Sequence, residues 1–351
     1  MNIDDILNER FSALKLTLAI NKRQNEYGLL NSLGIFSEKG IADRQVKIET
    51  KESTISIIAT SPIGTPAPAD DDPDRREVRI LPTFRHAKLH TLLAEEVQGV
   101  RAFGSDDSVE VYDVKYLEKI DKIQREHRQT KEYLRWSALK GDVLDPDGSR
   151  VLYNSYAAMG EAQKTIEWDI ADGESVDAIA DGNDELLDYL ETEALGETVT
   201  GVVKFCSPGY MTAMNKNKDF REAYRYFASQ QSEVNPNRQL LRKPFHFKGV
   251  DYVRHMGQCS FKKKDGSVVT YKFIPDNEAI CVPTGTTETF QTFFGPGEFA
   301  DTVNTIGKEI YIRPEKMKLN MGVELHSFSY QLNLVAKPRL VVRARIKAPG
   351  G

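Results

Sequence analysis

The chain has 351 residues, 40% of them apolar and 28% charged, and a net charge of −5 from 47 basic and 52 acidic side chains. That length accommodates about two domains and a substantial buried core. The charge balance argues against a dedicated nucleic-acid binder, and no run approaches the ~18 apolar residues of a membrane helix.

The start, MNIDDILNERF, is acidic and has no apolar signal core. Cys206, Cys259 and Cys281 are scattered without CxxC spacing, so neither a disulfide framework nor a zinc knuckle is expected. Synthesis in a reducing cytoplasm fits best.

Residues 1–45 predict a thin arm. Ile6, Leu7, Leu14 and Leu18 recur at helical spacing within Ile3 to about Lys22, and Gly28 and Gly34 then interrupt apolar residues. Residues 46–85 predict a long hairpin: TISIIATSPI and REVRILPTFR are strand-like, and GTPAPADDDPD between them is a polar tip. An isolated hairpin is marginal in water, so this one is expected to lie against a neighbouring molecule. RHAKLHTLLAEEVQG predicts a short helix.

The longest helix signal runs from about Val109 to Lys140, with cap candidates in SDDS before it and Gly141 as its stop. Leu117, Ile120, Ile123, His127, Leu134 and Ala138 share most of one face. VLDPDGSRVLY predicts a hairpin. Further on, NDELLDYLETEAL and GYMTAMNKNKDFREAYRYF predict helices. TVTGVVKFCSP predicts a buried strand, HFKGVDYVRHMG a strand pair around Gly249, and SFKKKDGSVVTYKFIPDNEAICVP two or three strands. The tail ELHSFSYQLNLVAKPRLVVRARI predicts long strands broken at Pro338. The mixture is α+β.

Candidate sites resolve mostly into architecture. In KFIPDNEAICVPTG, Asp276 and Glu278 stand near Cys281 and resemble an acid–base pair. They also flank a turn in which Pro275 suits the second position and Asp276 and Asn277 can bond their own backbone, leaving Cys281 in a buried strand. His86 and His90 are four apart, but a zinc protease requires Glu after the first His, where Ala87 stands. Asp70, Asp71, Asp72 and Asp74 could offer oxygen ligands, yet the spacing matches no EF-hand, and a solvated tip is expected. There is no P-loop, no GxGxxG after a strand and no GxSxG. No catalytic residue, cofactor or metal site is therefore predicted. Arg339, Arg343 and Arg345 are placed on one strand face, and with Asp70, Asp71, Asp72, Asp74, Arg75 and Arg76 they are the candidates for contacts between subunits. Gly141, Pro275, Asp276 and Asn277 are the structural turn residues.

The colinear order of arm, long hairpin, very long helix ending in ALKG (Ala138–Gly141), KFIPDNEAICVPTG and SYQLNLVAKPRLVVRARI resembles the major capsid proteins of tailed bacteriophages, of the lambda-type capsid protein E family. The likeness extends from about residue 45 onward, and Arg339 departs from it where an acid is common. The resemblance implies a Hong Kong 97-like fold. Its parts would be an N-terminal arm at 1–45, an extended loop at 46–86, a peripheral domain at 87–165 and 305–351 with a spine helix at about 109–140, and an axial domain at 166–304. It further implies self-assembly as pentamers and hexamers into an icosahedral virion shell, made in the host cytoplasm. Double-stranded DNA would lie nearby without sequence-specific binding. A portal, scaffolding, a protease and decoration proteins are the implied partners; no membrane is involved. Some relatives form Lys–Asn crosslinks, for which no pair is assigned here. The rival readings are an encapsulin-like compartment and a cytoplasmic metal-dependent hydrolase using Asp70–Asp74 with His86 and His90.

Overall fold

The computed structural model describes residues 28–52, 75–97, 108–168, 178–194, 196–234, 244–263 and 265–347. The helix expected at Ile3–Lys22, the hairpin tip with Asp70, Asp71, Asp72 and Asp74, and the side chains of Arg75 and Arg76 lie outside the described residues.

In chain order the elements are α1 (Leu29–Leu33), β1 (Ser37–Gly40), β2 (Gln45–Glu52), β3 (Arg75–Pro82), β4 (Phe84–Leu93), α2 (Ala94–Val97) and α3 (Ser108–Lys140). Next come β5 (Asp142–Leu144), β6 (Val151–Asn154), α4 (Ser155–Met159), β7 (Lys164–Trp168), α5 (Ala178–Glu193) and β8 (Gly201–Cys206). Then follow α6 (Pro208–Met214), α7 (Lys218–Val234), β9 (Phe245–Phe247), β10 (Val250–Arg254), β11 (Gln258–Lys262) and β12 (Val268–Lys272). The chain closes with β13 (Glu278–Thr284), β14 (Phe290–Phe294), β15 (Tyr311–Lys316), β16 (Gly322–Val335) and β17 (Val342–Ile346).

Two sheets organise these elements. A five-stranded sheet orders β1-β14-β16-β15, with β4 also on β16, and a six-stranded sheet orders β7-β17-β13-β8-β10-β9. The 14-residue β16 is the axis of the first, pairing with β4 from Gly322 to Gln331 and with β15 from Val323 to Phe328. Strands β17 and β13 meet antiparallel in the second, so the last strand joins the middle of the chain rather than its neighbour in sequence.

The 33-residue α3 holds the two sheets together. Its first half sets Tyr116, Ile120 and Ile123 against Ile312, Val323 and Leu325 of the five-stranded sheet and against Ile310 just before it. Leu117, expected on this face, is instead exposed, and Tyr116 takes its place. From Lys131 to Leu139 every residue is buried. There Trp136 stacks on Phe273 at 5.7 Å and meets Phe205 edge-on at 5.2 Å. Helices α5, α6 and α7 cover the other face of the six-stranded sheet with Leu186, Tyr210, Met214 and Phe220. A sheet covered on both faces explains why β8 is buried from Val202 to Cys206. It also buries Cys206 and Cys281, and all three cysteines are free and buried.

Two local expectations change. Among the described residues of RHAKLHTLLAEEVQG, those up to Leu93 belong to the strand Phe84–Leu93 and the helical part is Ala94–Val97. Ten consecutive pairings with β16 decide it, because tertiary pairing overrides a modest helix propensity. The helix expected over GYMTAMNKNKDFREAYRYF is two helices. The first ends at Met214 with Asn215 as its C-cap, and Asn217 caps the next, its Oδ1 accepting from Phe220 N at 3.2 Å. The hairpin base pairs Gln45–Glu52 with Arg75–Pro82 in eight steps, so REVRILPTFR is strand as far as Pro82. Its expected partner TISIIATSPI lies outside the described residues, and the strand Gln45–Glu52 is not among the expected elements.

Candidate functional site

The turn between β12 and β13 is a corner. Glu278 N donates to Pro275 O at 3.4 Å, and Asn277 sits at φ 60. Pro275 is therefore the first turn residue and not the second, and Asn277 supplies the left-handed position that it tolerates better than most residues. Asp276 points to solvent and pairs with Lys272 Nζ at 2.6 Å. Glu278 turns the other way. It accepts from Arg343 Nε at 2.6 Å and from Arg345 Nε at 2.9 Å across the β13–β17 ladder. The two acids diverge, so they form no acid–base pair. Cys281 is fully packed, and burial pushes its thiol pKa up.

The arginines separate as well. Arg343 and Arg345 share one face of β17, but Arg339 lies in the short 3-10 turn Pro338–Leu340. Its guanidinium reaches Glu161 at 3.2 Å and Glu193 at 3.3 Å. Within one chain all three already have carboxylate partners.

Gly141 ends α3 with φ 104, and a Cβ there would stand 2.7 Å from the Tyr156 ring. Tyr156 is close because its hydroxyl caps the helix, donating to Leu139 O at 2.8 Å. Gln163 Nε2 donates to the same carbonyl at 3.2 Å. A cavity of about 240 Å³ opens between this helix end and the corner, lined by Lys140, Asp142, Gln163, Glu278 and Arg343.

A buried ionic network on α3 holds the arm's base, and the sequence reading did not find it. Lys131 Nζ lies 2.9 Å from Glu38 and 2.6 Å from Glu309, and Arg135 reaches the same Glu38 oxygen at 2.7 Å. Burial opposes ionisation of Glu38, but Lys131 and Arg135 outweigh it and hold its pKa below the usual value. Glu132 faces α1 and accepts from Leu30 N at 2.9 Å and Trp136 Nε1 at 3.0 Å. Charges this deep persist only when paired, so residues 28–40 are fixed to the spine by more than apolar contact. One signal was available. Lys131 falls on the stripe of Ile123, His127, Leu134 and Ala138, where an apolar residue is the norm.

His86 and His90 sit on β4 and not on a helix face. They act electrostatically on His127 of α3, and His90 Nε2 lies 2.9 Å from Glu126 of the same helix, which also takes Lys88 Nζ at 2.9 Å. Burial lowers His127 to about 3, helped by positive charge at His86, His90 and Lys88, and lowers His86 to about 4. Neutral, packed imidazoles of this kind serve an interface between strand and helix.

The hairpin base carries exposed apolar side chains. Val78 and Ile80 on β3 are 57% and 53% exposed. Arg79, on the opposite face, donates to Ala158 O at 2.5 Å and anchors the hairpin to α4.

This arrangement, two sheets joined by one long helix, is the Hong Kong 97-like fold of phage capsid proteins. A solved structure of the bacteriophage PhiM1 mature capsid shares the fold at a TM-score of 0.50 and 11% identity, over 89% of this chain and 85% of that one. The profile of the family described as phage major capsid protein E matches residues 12–346. The chain belongs to the phage major capsid protein E family. Curated relatives include the major capsid protein of Pseudomonas phage KPP10, 25% identical over 354 residues, with 97% of this chain and 98% of the relative covered. The major capsid protein of Salmonella phage Felix O1 is 25% identical over 367 residues, with the same coverage.

Proposed function

We propose that this chain is the repeating subunit of a tailed-phage capsid, assembling with copies of itself as pentamers and hexamers into an icosahedral shell around double-stranded DNA. The observation that carries this is the family match over residues 12–346, nearly the whole chain. The role is structural and not enzymatic. Support comes from chemistry that suits a subunit and not a catalyst: the acids beside Cys281 point apart, and the apolar side chains of β3 face outward.

Within the subunit we assign 1–45 to the arm, 46–86 to the extended loop, 87–165 and 305–351 to the peripheral domain, and 166–304 to the axial domain. Strand β17 then lends its pairing to the axial sheet. The acids at Asp70–Asp74 and the arginines Arg75, Arg76, Arg339, Arg343 and Arg345 are proposed to meet opposite charges on neighbouring subunits. For the last three this means sharing or exchanging the partners they hold within the chain. A portal, scaffolding, a protease and decoration proteins are the further partners of this reading. The net charge of −5 suits a wall beside packaged DNA, since each phosphate contact would add affinity and salt dependence. Assembly is placed in the host cytoplasm and the finished product in the virion.

Electron microscopy of the expressed protein tests the proposal. Closed shells of uniform diameter are expected, and virions should contain nuclease-protected DNA. Monomers or irregular aggregates alone would overturn the shell, and particles holding protein cargo without DNA would make it a compartment.

A further inference from the structure

The β15–β16 ladder carries a side-chain set that the capsid reading does not use. Glu315 stands directly opposite Glu324, and His326 follows two residues on, on the same face. That face is turned away from α3, because the intervening Val323 and Leu325 pack toward the helix. His326 Nε2 lies 3.3 Å from Glu324 Oε2 and 3.6 Å from Glu315 Oε2, and the three ligand atoms fall within 4.8 Å of one another.

Two features distinguish this set from an ordinary acidic surface. The first is electrostatic. Like charges directly across a ladder are destabilising. Among the described residues, the one ion-pair partner found within reach of either carboxylate is the His326 imidazole. Arg313, opposite His326 in the register, is turned to Asp301 instead. A single imidazole nitrogen, Nε2, faces both carboxylates, and no Lys or Arg ion pair compensates them among the described residues. The second is metric. A tetrahedral ion bound at 2.0–2.2 Å sets its ligands about 3.3–3.6 Å apart, and both His326–carboxylate distances fall in that range while the third separation lies within 4.8 Å. The donors stand on two hydrogen-bonded strands, and the His326 ring lies parallel to Phe328 at 6.4 Å, so the set is held by rigid elements.

We propose that Glu315, Glu324 and His326 bind a divalent first-row transition-metal ion, with Zn²⁺ the best match. One imidazole and two carboxylates form a mixed nitrogen–oxygen set, whereas Mg²⁺ and Ca²⁺ favour oxygen alone. The two carboxylates balance the ion's charge, and Glu315, with 74% of its side chain exposed, leaves the site open to solvent for water to complete the coordination. The ion would strap β15 to β16 just before the turn that presents Leu319, 91% exposed. The inference does not depend on the capsid reading.

The test uses full-length protein freed of metal by a chelator and titrated with ZnCl₂ in a calorimeter, with MgCl₂ and CaCl₂ as comparisons. One Zn²⁺ per chain is expected, with a rise in melting temperature. Removing an outer partner of a metal ligand already costs about 10–100-fold in affinity, so Glu324→Gln and His326→Gln should each weaken Zn²⁺ by at least about 10-fold. Should either variant misfold, Glu315→Gln at the most exposed of the three positions gives the same reading. No binding at millimolar Zn²⁺ overturns the proposal. Unchanged affinity in the folded variants also overturns it, since the ion would then sit elsewhere.

Discussion

Gly141 shows how one residue can carry two independent constraints. Its φ of 104 is strained for any residue with a side chain, and the space a Cβ would take is filled by the Tyr156 ring at 2.7 Å. Backbone strain of about 1–3 kcal/mol and overpacking of similar size make Gly141→Val destabilising by roughly 2–5 kcal/mol. Urea denaturation of the purified protein measures this, and an unchanged midpoint would refute it. Gly34 is the control, since at φ 63 it has nothing within 4 Å, so Gly34→Ala should cost only the backbone part, about 1 kcal/mol. The corner at 275–278 teaches a related lesson. Spacing placed Asp276 and Glu278 side by side, but the left-handed Asn277 between them sends one to solvent and the other to Arg343 and Arg345.

Among elements, the contact between β4 and α3 predicts an acid response. His127 faces His86, His90 and Lys88 from the strand, while Glu126 and Lys122 belong to its own helix. Its pKa falls from 6.5 in the open chain to about 3 when folded, mainly through burial. Between those values the unfolded chain holds a proton that the folded chain does not. Stability is therefore complete above about pH 6.5 and is lost as pH falls toward 3. At 1.36 kcal/mol per pH unit, roughly 2 kcal/mol disappears by pH 5 from His127 alone. His127→Leu should make the dependence of unfolding free energy on pH shallower between 6.5 and 4. An equal slope in the variant would assign the acid sensitivity to other groups. The same strand escaped recognition in the sequence, because the apolar and histidine spacing in HAKLHTLL fits a helix as readily as a ladder. Pairing with β16, more than 200 residues away, made the choice.

For the molecule as a whole, the hairpin base presents apolar side chains that the chain itself leaves uncovered. Val78 and Ile80 point to solvent while Arg79 on the other face is tied to α4. Replacing both apolar residues with Glu should leave the subunit folded, with a melting temperature within about 2 °C, because exposed substitutions cost little. The same change should sharply reduce shell formation if a neighbour covers this face. Normal particle yield by electron microscopy and light scattering would remove the hairpin from the assembly contacts. Deleting residues 64–74, which lie outside the described residues, is expected to act in the same direction.

The sequence by itself determined the elements whose signals are local. Helical periodicity from Val109 to Lys140 ending at Gly141, the hairpin turn in DPDG and the break at Pro338 each follow from neighbours in the chain, and the structure has all three. The colinear order of these signals also carried the family. Tertiary structure alone decided what distant residues do to one another. It put Lys131 and Arg135 on Glu38, gave Glu278 two arginines from the last strand, turned residues 84–93 into a strand and brought Glu315 within reach of His326. The physical reason is range. Backbone preference and periodicity act over a few residues and are written in composition. The partner of a buried charge is set by which strands lie side by side, and that follows from the packing of the whole chain.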